Sequence, residues 1–270
     1  MSVGTILRVE DDIMNSMQIK GTLREGKPVI GTMFTHLHSP AACRVAQQCG
    51  FDFLIFDTEH SRPGVETLSW IFQTARDIDY TAIVRDPGFE GQWPTRYLDL
   101  GASGNLFPRV ETPEEAEDLI RMVKYPPEGE RGWGTGGAHD DYGEQVSPEY
   151  PQQANEANIV ICQIETKRGW EARDEIFSVP GIDATFIGPN DLSLSLGHPR
   201  DFEHPEVTGA MDDIFESAAA HGVAPGMHCF DVQSTLQWLS RGALFMAYSS
   251  DIGLLRDAAT GGLQEIRDRM

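Results

Sequence analysis

The chain has 270 residues, of which 40% are hydrophobic and 23% are charged, enough for one large domain with a sizeable core. Its formal net charge of −21 argues against nucleic acid or an anionic membrane as a partner. No run of about 18 apolar residues is present that would span a membrane, and the N-terminal residues lack the basic and apolar regions of a secretion signal. The four cysteines are scattered through apolar elements, which is typical of buried thiols, so we expect a cytoplasmic protein.

Strand and helix patterns alternate along the chain from Pro28 onwards. Residues 1–27 are predicted to be an N-terminal leader segment and residues 28–270 a single domain. The predicted strands are Val29–Met33, Phe53–Phe56, Thr81–Val84, Gly104–Phe107, Ile159–Ile164, Ala184–Ile187, Val223–Met227 and Ala243–Tyr248. The predicted helices are Pro40–Cys49, Thr67–Ile78, Trp93–Leu100, Pro113–Val123, Trp170–Val179, Pro205–His221, Asp231–Arg241 and Ile252–Met270.

Eight strands alternating with eight helices predict an α/β fold of the (β/α)8 TIM-barrel type. The competing fold is a doubly wound open sheet, but no Gly-rich dinucleotide turn follows the first strand. One long stretch, Tyr125–Asn158, has no predicted element, and loops of this length are uncommon unless they are functional. Its Gly-rich part, Arg131–Gly137, lacks the Gly-Lys-Ser/Thr ending of a phosphate-binding loop and is interpreted as a flexible lid or turn.

Two carboxylates follow neighbouring predicted strands. Glu165 follows the strand that ends in Gln163-Ile164, and Asp191 follows Gly188-Pro189-Asn190 after the next strand. In a parallel β-α-β unit both strand ends lie on the same rim, where chemistry belongs in a TIM barrel. Paired carboxylates suit a hard cation such as Mg²⁺ or Mn²⁺. An acid–base pair or a loop cap remains the alternative.

Other strand ends also carry ionisable residues. The second strand leads into Asp57-Thr58-Glu59-His60, where a histidine near a carboxylate is typical of proton transfer. Arg85 ends the third strand and suits a carboxylate or enolate, although a salt bridge to a nearby acid explains it equally well. His36 and His38 follow the first predicted strand, and His228 follows the seventh. Lys167 is a weaker candidate for a Schiff-base lysine, because its loop context favours a solvent-facing side chain.

The order and spacing of several short motifs resemble the HpcH/HpaI aldolases, the class II pyruvate aldolases, over about residues 28–251. The matching motifs are Gly50-Phe51-Asp52-Phe53, Asp57-Thr58-Glu59-His60, Val84-Arg85, Leu98-Asp99-Leu100-Gly101-Ala102, Tyr125-Pro126-Pro127, Arg131-Gly132, Gln163-Ile164-Glu165-Thr166 and Phe186-Ile187-Gly188-Pro189-Asn190-Asp191-Leu192-Ser193.

This resemblance implies a (β/α)8 barrel with an exchanged C-terminal helix, assembled as a homo-oligomer, usually a hexamer. It implies cleavage or formation of 4-hydroxy-2-oxo acids through a pyruvate enolate and an aldehyde, with Mg²⁺, Mn²⁺ or Co²⁺ as cofactor. The roles it implies are metal binding by Glu165 and Asp191, proton transfer by His60 with Asp57, substrate binding by Arg85, Gln163, Gly188, Pro189 and Asn190, and a contribution of Asp99 to the neighbouring subunit's site.

The chain departs from the family pattern at the first two strands. Thr58 stands where a glycine is common, Met33 where a tryptophan is usual, and His36 and His38 where family members have small residues. These differences concern the side of the site that would bind the aldehyde acceptor. The alternatives are an acyl-CoA lyase of the citramalyl or malyl-CoA type, an oxaloacetate-decarboxylating relative, or a non-catalytic barrel that binds sugar acids. A CoA enzyme is expected to carry a basic patch, of which this acidic chain shows little.

Overall fold

The computed structural model describes residues 14–88, 92–143 and 147–270. Eight parallel strands form a closed barrel in chain order, which confirms the predicted (β/α)8 fold. The strands are β1 Val29–Phe34, β2 Phe53–Asp57, β3 Thr81–Arg85, β4 Gly104–Phe107, β5 Ile159–Ile164, β6 Ala184–Ile187, β7 Gly226–Cys229 and β8 Phe245–Ser250.

One helix precedes the first strand, and the others follow the strands on the outside of the barrel. They are α1 Ser16–Arg24, α2 Pro40–Cys49, α3 Val65–Asp77, α4 Trp93–Asp99, α5 Pro113–Val123, α6 Tyr150–Ala157, α7 Lys167–Glu171, α8 Arg173–Phe177, α9 Pro189–Ser195, α10 Pro205–Ala220, α11 Val232–Ser240 and α12 Asp251–Asp268. Several begin with the capping signals of the sequence: Thr112 and Glu115 form a reciprocal capping box at α5.

Several elements of the structure differ from those predicted. The seventh strand begins at Gly226 rather than Val223, because Pro225 has no amide hydrogen to continue the ladder beyond the single bridge at Ala224. The single helix predicted over Trp170–Val179 is wrong, since α7 and α8 are separate short helices. The stretch Tyr125–Asn158 holds a 3₁₀ turn, Ala138–Asp140, and helix α6, neither of which was predicted.

The barrel interior is filled by large apolar side chains. Phe53 stacks on Phe245 with ring centroids 4.2 Å apart, and Phe186 meets Phe245 edge to face. This packing leaves no room for a side chain at Gly31, where a Cβ would lie 2.4 Å from the Phe53 ring. A filled barrel restricts substrate access to the rims, so the chemistry is confined to the strand ends and loops.

Helix α1 packs against the barrel. Ile19 is fully buried with Val29 and Phe245, and Lys20 forms an ion pair with Asp183 at 2.9 Å. Residues 1–13 of the predicted leader segment lie outside the described residues. The division of the chain into a 1–27 leader and a 28–270 barrel stays a prediction.

The C-terminal helix α12 is exposed along almost its whole length. Only its first residue, Asp251, is buried, whereas Leu255, Leu263 and Ile266 are each at least half exposed. None of the helices in the described part of the chain is both long and apolar enough to cross a membrane.

Candidate active site

A cavity of about 260 Å³ opens at the carboxyl ends of the strands. The structure brings most of the predicted site residues together there. It is lined by Met33, Thr35, His36, Asp57, His60, Arg85, Gln163, Phe186, Gly188, Pro189, Asn190, Asp191, His228, Phe230 and Ser250.

Arg85 is the buried cation of this site. Its Nη1 lies 3.2 Å from Glu59 Oε2, and Asp57 binds the other side of the guanidinium. Burial opposes ionisation of Asp57, but the hydrogen bond and charge of Arg85 outweigh it, so the pKa of this carboxyl is lowered. Arg85 and Asp57 are therefore a fixed ion pair at the adjacent ends of β2 and β3.

His60 and Asp57 are not joined in the way that the sequence suggested. The Asp57 carboxylate accepts the backbone amides of Glu59 and His60, at 2.9 and 3.3 Å. The imidazole of His60 is 65% exposed and its Nε2 lies 3.8 Å from Glu59 Oε2. Asp57 thus holds the turn on which His60 stands, while Glu59 is the carboxylate nearest to the imidazole.

Glu165 is a buried acid beside the cavity with a strongly raised pKa. It is 2% exposed, one of its oxygens accepts the Arg109 amide at 3.0 Å, and the other contacts Gln163 Nε2. Burial first, and then the negative charges of Glu59 and Asp191, raise the pKa of Glu165 to about 7. The negative charges of Glu59 and Asp191 therefore disfavour ionisation of Glu165.

The positive charge of a bound cation would favour the ionised form of these carboxylates. Carboxylate oxygens are the preferred ligands of Mg²⁺ and Mn²⁺, and Mg²⁺ commonly takes only one or two protein carboxylates and keeps several waters. Gln163 Oε1 is buried and has no hydrogen-bond partner among the described residues. It is therefore an oxygen atom beside Glu165 that is available to coordinate a metal ion. A Cβ at Gly188 would lie 2.3 Å from Glu165 Oε2, so only glycine permits this close approach. The residues present thus fit a divalent metal ion.

The comparisons with known proteins agree with this geometry. The family model described as HpcH/HpaI aldolase/citrate lyase matches residues 31–258. The chain belongs to the HpcH/HpaI family. It is 35% identical over 255 residues to the hydroxypyruvate/pyruvate aldolase of Paraburkholderia phytofirmans, covering 92% of this chain and 97% of that protein. It is also 35% identical over 240 residues to the 4-hydroxy-2-oxo-heptane-1,7-dioate aldolase of Klebsiella pneumoniae, covering 89% and 90% of the two chains.

Solved structures show the same family. The HpcH/HpaI aldolase from Desulfitobacterium hafniense superposes with a TM-score of 0.86 at 31% identity, over 92% of this chain and 96% of the other. The family and its aldolase relatives identify this protein as an enzyme, a carbon–carbon lyase of the aldehyde-lyase type.

Helix α9 of this HpcH/HpaI family member starts directly at the cavity. Gly188 directly follows β6 and is the N-terminal cap of α9, and Gly188, Pro189 and Asn190 line the cavity together with Asp191. Backbone amides at a helix start point outward and attract anions. The Gly-Pro-Asn-Asp run therefore lies at the cavity, and its roles in binding substrate and metal stay predictions.

Asp99 lies away from the cavity of its own chain. It ends α4, and because each outer helix runs antiparallel to the strands, its position is near the opposite rim of the barrel. Its carboxylate accepts from Arg131 Nη2 at 2.7 Å, and Arg131 itself lies over the Tyr125 ring. Asp99 does not join the other predicted site residues within one subunit.

Lys167 is not a member of the cavity lining. Its side chain is exposed at the start of α7, and its backbone amide donates to Ser195 Oγ at 2.9 Å. The family departure at Thr58 has a structural role, because its hydroxyl donates to the Arg85 carbonyl oxygen at 2.6 Å. Thr58 therefore ties the end of β2 to the end of β3.

The contacts of two residues at or beside the cavity were not predicted from the sequence. Asp251, the first residue of α12, accepts the Thr35 hydroxyl and the amides of His36 and Leu37. His228 is half-buried, its Nε2 lies 2.8 Å from the Ser249 carbonyl oxygen, and its desolvation lowers its pKa to about 4. His228 is thus a neutral imidazole in the wall. Both residues stood at predicted strand ends, but no sequence spacing connected Asp251 to the loop after β1.

Proposed function

We propose that this protein is a metal-dependent pyruvate aldolase that cleaves or forms 4-hydroxy-2-oxo acids through a pyruvate enolate and an aldehyde. The observation that carries the proposal is the burial of Glu165 beside Glu59 and Asp191: burial first, and then these two negative charges, raise the pKa of Glu165 to about 7. A divalent cation bound by these carboxylates offsets their mutual repulsion and stabilises their ionised forms. The aldolase names of relatives that match over most of the chain support the substrate class.

Glu165 and Asp191 hold the cation in this proposal, which we expect to be Mg²⁺, Mn²⁺ or Co²⁺. When bound, the ion supplies positive charge to the 2-oxo group and makes the neighbouring C–H protons more acidic. Arg85, held in place by Asp57 and Glu59, stabilises negative charge on the developing enolate oxygen.

The remaining residues orient the substrate and move protons. Gln163 stands beside Glu165, and the backbone amides that follow Gly188-Pro189, beginning with that of Asn190, receive the substrate carboxylate. His60 stands on the rim with an exposed ring, so in the proposal it exchanges protons between the site and solvent.

Assembly into a homo-oligomer is the second part of the proposal. Helix α12 leaves Leu255, Leu263 and Ile266 exposed, and an amphipathic helix with an uncovered apolar side is stabilised by a partner surface. Exchange of this helix between subunits of a hexamer covers it. A neighbouring subunit also gives a role to Asp99, whose carboxylate lies away from its own cavity. The four free cysteines suit a cytoplasmic location.

The proposed enolate is tested by proton exchange. Pyruvate methyl protons are followed by NMR in deuterated buffer with added Mn²⁺, with excess EDTA, and with an acyl-CoA ester as a competing substrate. We expect metal-dependent exchange with pyruvate alone. Cleavage of a CoA ester without pyruvate exchange would instead identify an acyl-CoA lyase, and an absence of both reactions would identify a binding protein.

A further inference from the structure

Two histidines and a glutamate converge outside the cavity, where the chain passes from α9 to α10. The rings of His198 and His204 stack face to face, with centroids 3.4 Å apart and an angle of 17° between their planes. His198 Nε2 lies 2.9 Å from Glu206 Oε2, and His204 Nδ1 accepts the Glu206 amide at 3.2 Å. One nitrogen of each ring and one carboxylate oxygen all lie within 4.8 Å of one another. Three side chains of the types that bind metal ions are therefore gathered at one point of the surface.

The segment between α9 and α10 positions these residues through its own hydrogen bonds. The amide of His198 donates to the Ser193 carbonyl oxygen at 2.8 Å, and the amide of Arg200 donates to Ser193 Oγ at 3.0 Å. The amide of Asp201 donates to the His198 carbonyl oxygen at 3.0 Å, and the Asp201 carbonyl oxygen accepts the His204 amide at 3.2 Å. The two histidines thus stand at the ends of a short, internally bonded segment, so little conformational entropy is lost when they bind one ion.

Helix capping and surface charge do not by themselves account for this cluster. His204 is the N-terminal cap of α10, but Ser, Thr, Asp and Asn are the preferred residues for a cap. The side chains of His198 and Glu206 are 28% and 44% exposed, and ion pairs that are open to water contribute little to stability. The hydrogen bond with His198 lowers the pKa of Glu206, so this carboxylate is ionised at neutral pH. The cluster is accessible to ions and offers them two imidazoles and a negative charge.

The ligand types select the class of cation. Imidazole nitrogen suits Zn²⁺ and its transition-metal neighbours, whereas Mg²⁺ and Ca²⁺ prefer oxygen ligands. Two histidines and a glutamate are a ligand set found in zinc proteins, in which water takes the fourth position. With metal–ligand bonds of about 2.0–2.2 Å, the ligand atoms of a tetrahedral ion lie about 3.4 Å apart. Small rotations of these side chains bring the three atoms to that spacing.

We propose that His198, His204 and Glu206 bind a divalent cation of the Zn²⁺ class at a site separate from the cavity. On binding, each neutral ring gives one lone pair to the ion. The hydrogen bond between His198 and Glu206 is then replaced by two bonds to the same ion. This inference does not depend on the proposed aldolase function.

The proposed zinc site is distinct from the cavity but is connected to its wall. None of its three ligands belongs to the cavity lining that the described residues form. The segment between the two histidines carries Phe202, whose ring stacks on Phe230 with centroids 6.2 Å apart, and Phe230 lines the cavity. A cation held by both histidines therefore restrains the segment that supports this part of the wall.

The test measures Zn²⁺ binding by calorimetry in the Glu165→Gln chain, in which the proposed cavity site is weakened. We expect this metal-free chain to bind one Zn²⁺ per subunit at the cluster and to bind no Mg²⁺ there. Adding His198→Gln, or His204→Asn, should lower the Zn²⁺ affinity by at least about tenfold, the smallest loss usual even for residues behind the ligands. His204→Asn keeps a good helix cap. The control is His221→Asn, at the exposed C-terminal end of α10, which should leave the affinity unchanged.

Amide hydrogen exchange locates the bound ion. Saturating Zn²⁺ is expected to slow exchange in residues 197–204 of the Glu165→Gln chain but not when His198→Gln is added, because the ion restrains this segment only through its ligands. Unchanged exchange in this segment would place the ion elsewhere and overturn the assignment. The same conclusion follows if the Glu165→Gln chain binds no Zn²⁺, if neither cluster variant weakens binding, or if His221→Asn weakens it equally.

Discussion

Arg85 binds both carboxylate oxygens of Asp57. Its Nε donates to Oδ1 at 2.9 Å and its Nη2 lies 2.8 Å from Oδ2. Asp57 is fully buried and Arg85 is 8% exposed, so water does not compete for this pair. The two-point contact sets the plane of the guanidinium and directs its remaining nitrogen toward Glu59 and the cavity.

Arg85→Lys is therefore predicted to be a damaging substitution. Lysine keeps the charge but cannot span both oxygens of Asp57, and it leaves part of a buried carboxylate unpaired. We expect kcat/KM for aldol cleavage to fall by about 10²-fold or more, by analogy with the loss of an oxyanion donor. Steady-state kinetics measure the effect, and Arg44→Lys, at an exposed position on α2, serves as the matched control. A near-normal rate in Arg85→Lys would assign the arginine a purely structural role.

Metal removal is predicted to abolish activity. Glu165 and Asp191 are the proposed ligands, so excess EDTA should stop cleavage and Mg²⁺, Mn²⁺ or Co²⁺ should restore it. Glu165→Gln should weaken Mn²⁺ binding, measured by calorimetry, as well as the rate. Glu171→Gln, on the exposed surface of α7, is the control. Full activity in EDTA would contradict a metal mechanism and return Lys167 as a Schiff-base candidate.

Mixed oligomers test whether Asp99 acts in a neighbouring subunit. Asp99→Asn and Glu165→Gln homo-oligomers are each expected to be nearly inactive. After subunit mixing, some sites combine an intact Glu165 with an intact Asp99 from the next chain, so partial activity should return. Mass spectrometry verifies the mixing. Verified mixing without recovered activity would place Asp99 outside the catalytic machinery.

Asp86 provides a prediction on stability and pH. Complete burial raises its pKa well above the ordinary value, with one hydrogen bond from Asn105 Nδ2 at 2.9 Å in opposition. The fold favours the protonated form, so its contribution to stability is full below the ordinary pKa of aspartate and declines as pH rises toward the folded-state pKa.

Asp86→Asn removes this titration. Two buried oxygens at this contact have no hydrogen-bond partner: Asp86 Oδ1 and Asn105 Oδ1. An ionised carboxylate at position 86 cannot donate a hydrogen bond, whereas the amide of an asparagine there can. We expect the gain in Tm over wild type to be larger at pH 8 than at pH 5, measured by calorimetry of the metal-free protein at both values. An equal difference at both pH values would show that Asp86 does not titrate with folding in this range.

The aldehyde preference follows from the small number of cationic side chains that line the cavity. Arg85 is the only arginine or lysine among the described residues that line it, and Asp57 and Glu59 already engage it. We therefore expect glycolaldehyde and glyceraldehyde to be better acceptors than succinic semialdehyde, whose carboxylate requires a cation. An aldol-addition screen with pyruvate measures the ranking. Succinic semialdehyde as the best acceptor would contradict it.

The chemistry at the strand ends was largely predictable from local patterns. Short apolar strands ending in Arg85, in Gln163-Ile164-Glu165 and in the Gly188–Asp191 run indicated a parallel barrel with its functional groups on one rim. This works because a parallel strand must be apolar along its buried length, so the first polar residues after it fall at the site.

Contacts between distant segments were not predictable in the same way. Asp57 was expected to orient the His60 imidazole, yet in the structure its carboxylate binds Arg85 and the His60 backbone. The reason is the closed register of β2 and β3, which pairs Asp57 directly with Arg85. A buried carboxylate binds the guanidinium beside it more strongly than an exposed imidazole.

The amino-acid sequence by itself determined the (β/α)8 fold, the rim on which the polar residues gather and the candidate pair Glu165 and Asp191, because strand periodicity and chain order carry that information. Only the tertiary structure decided which side chains meet across the barrel. Closure of β8 on β1 brings Asp251 to the loop of Thr35 and His36, more than two hundred residues away in the chain. A carboxylate at that separation leaves no periodic signal, since its partners are set by the geometry of closure and by the requirement that buried amides be hydrogen-bonded.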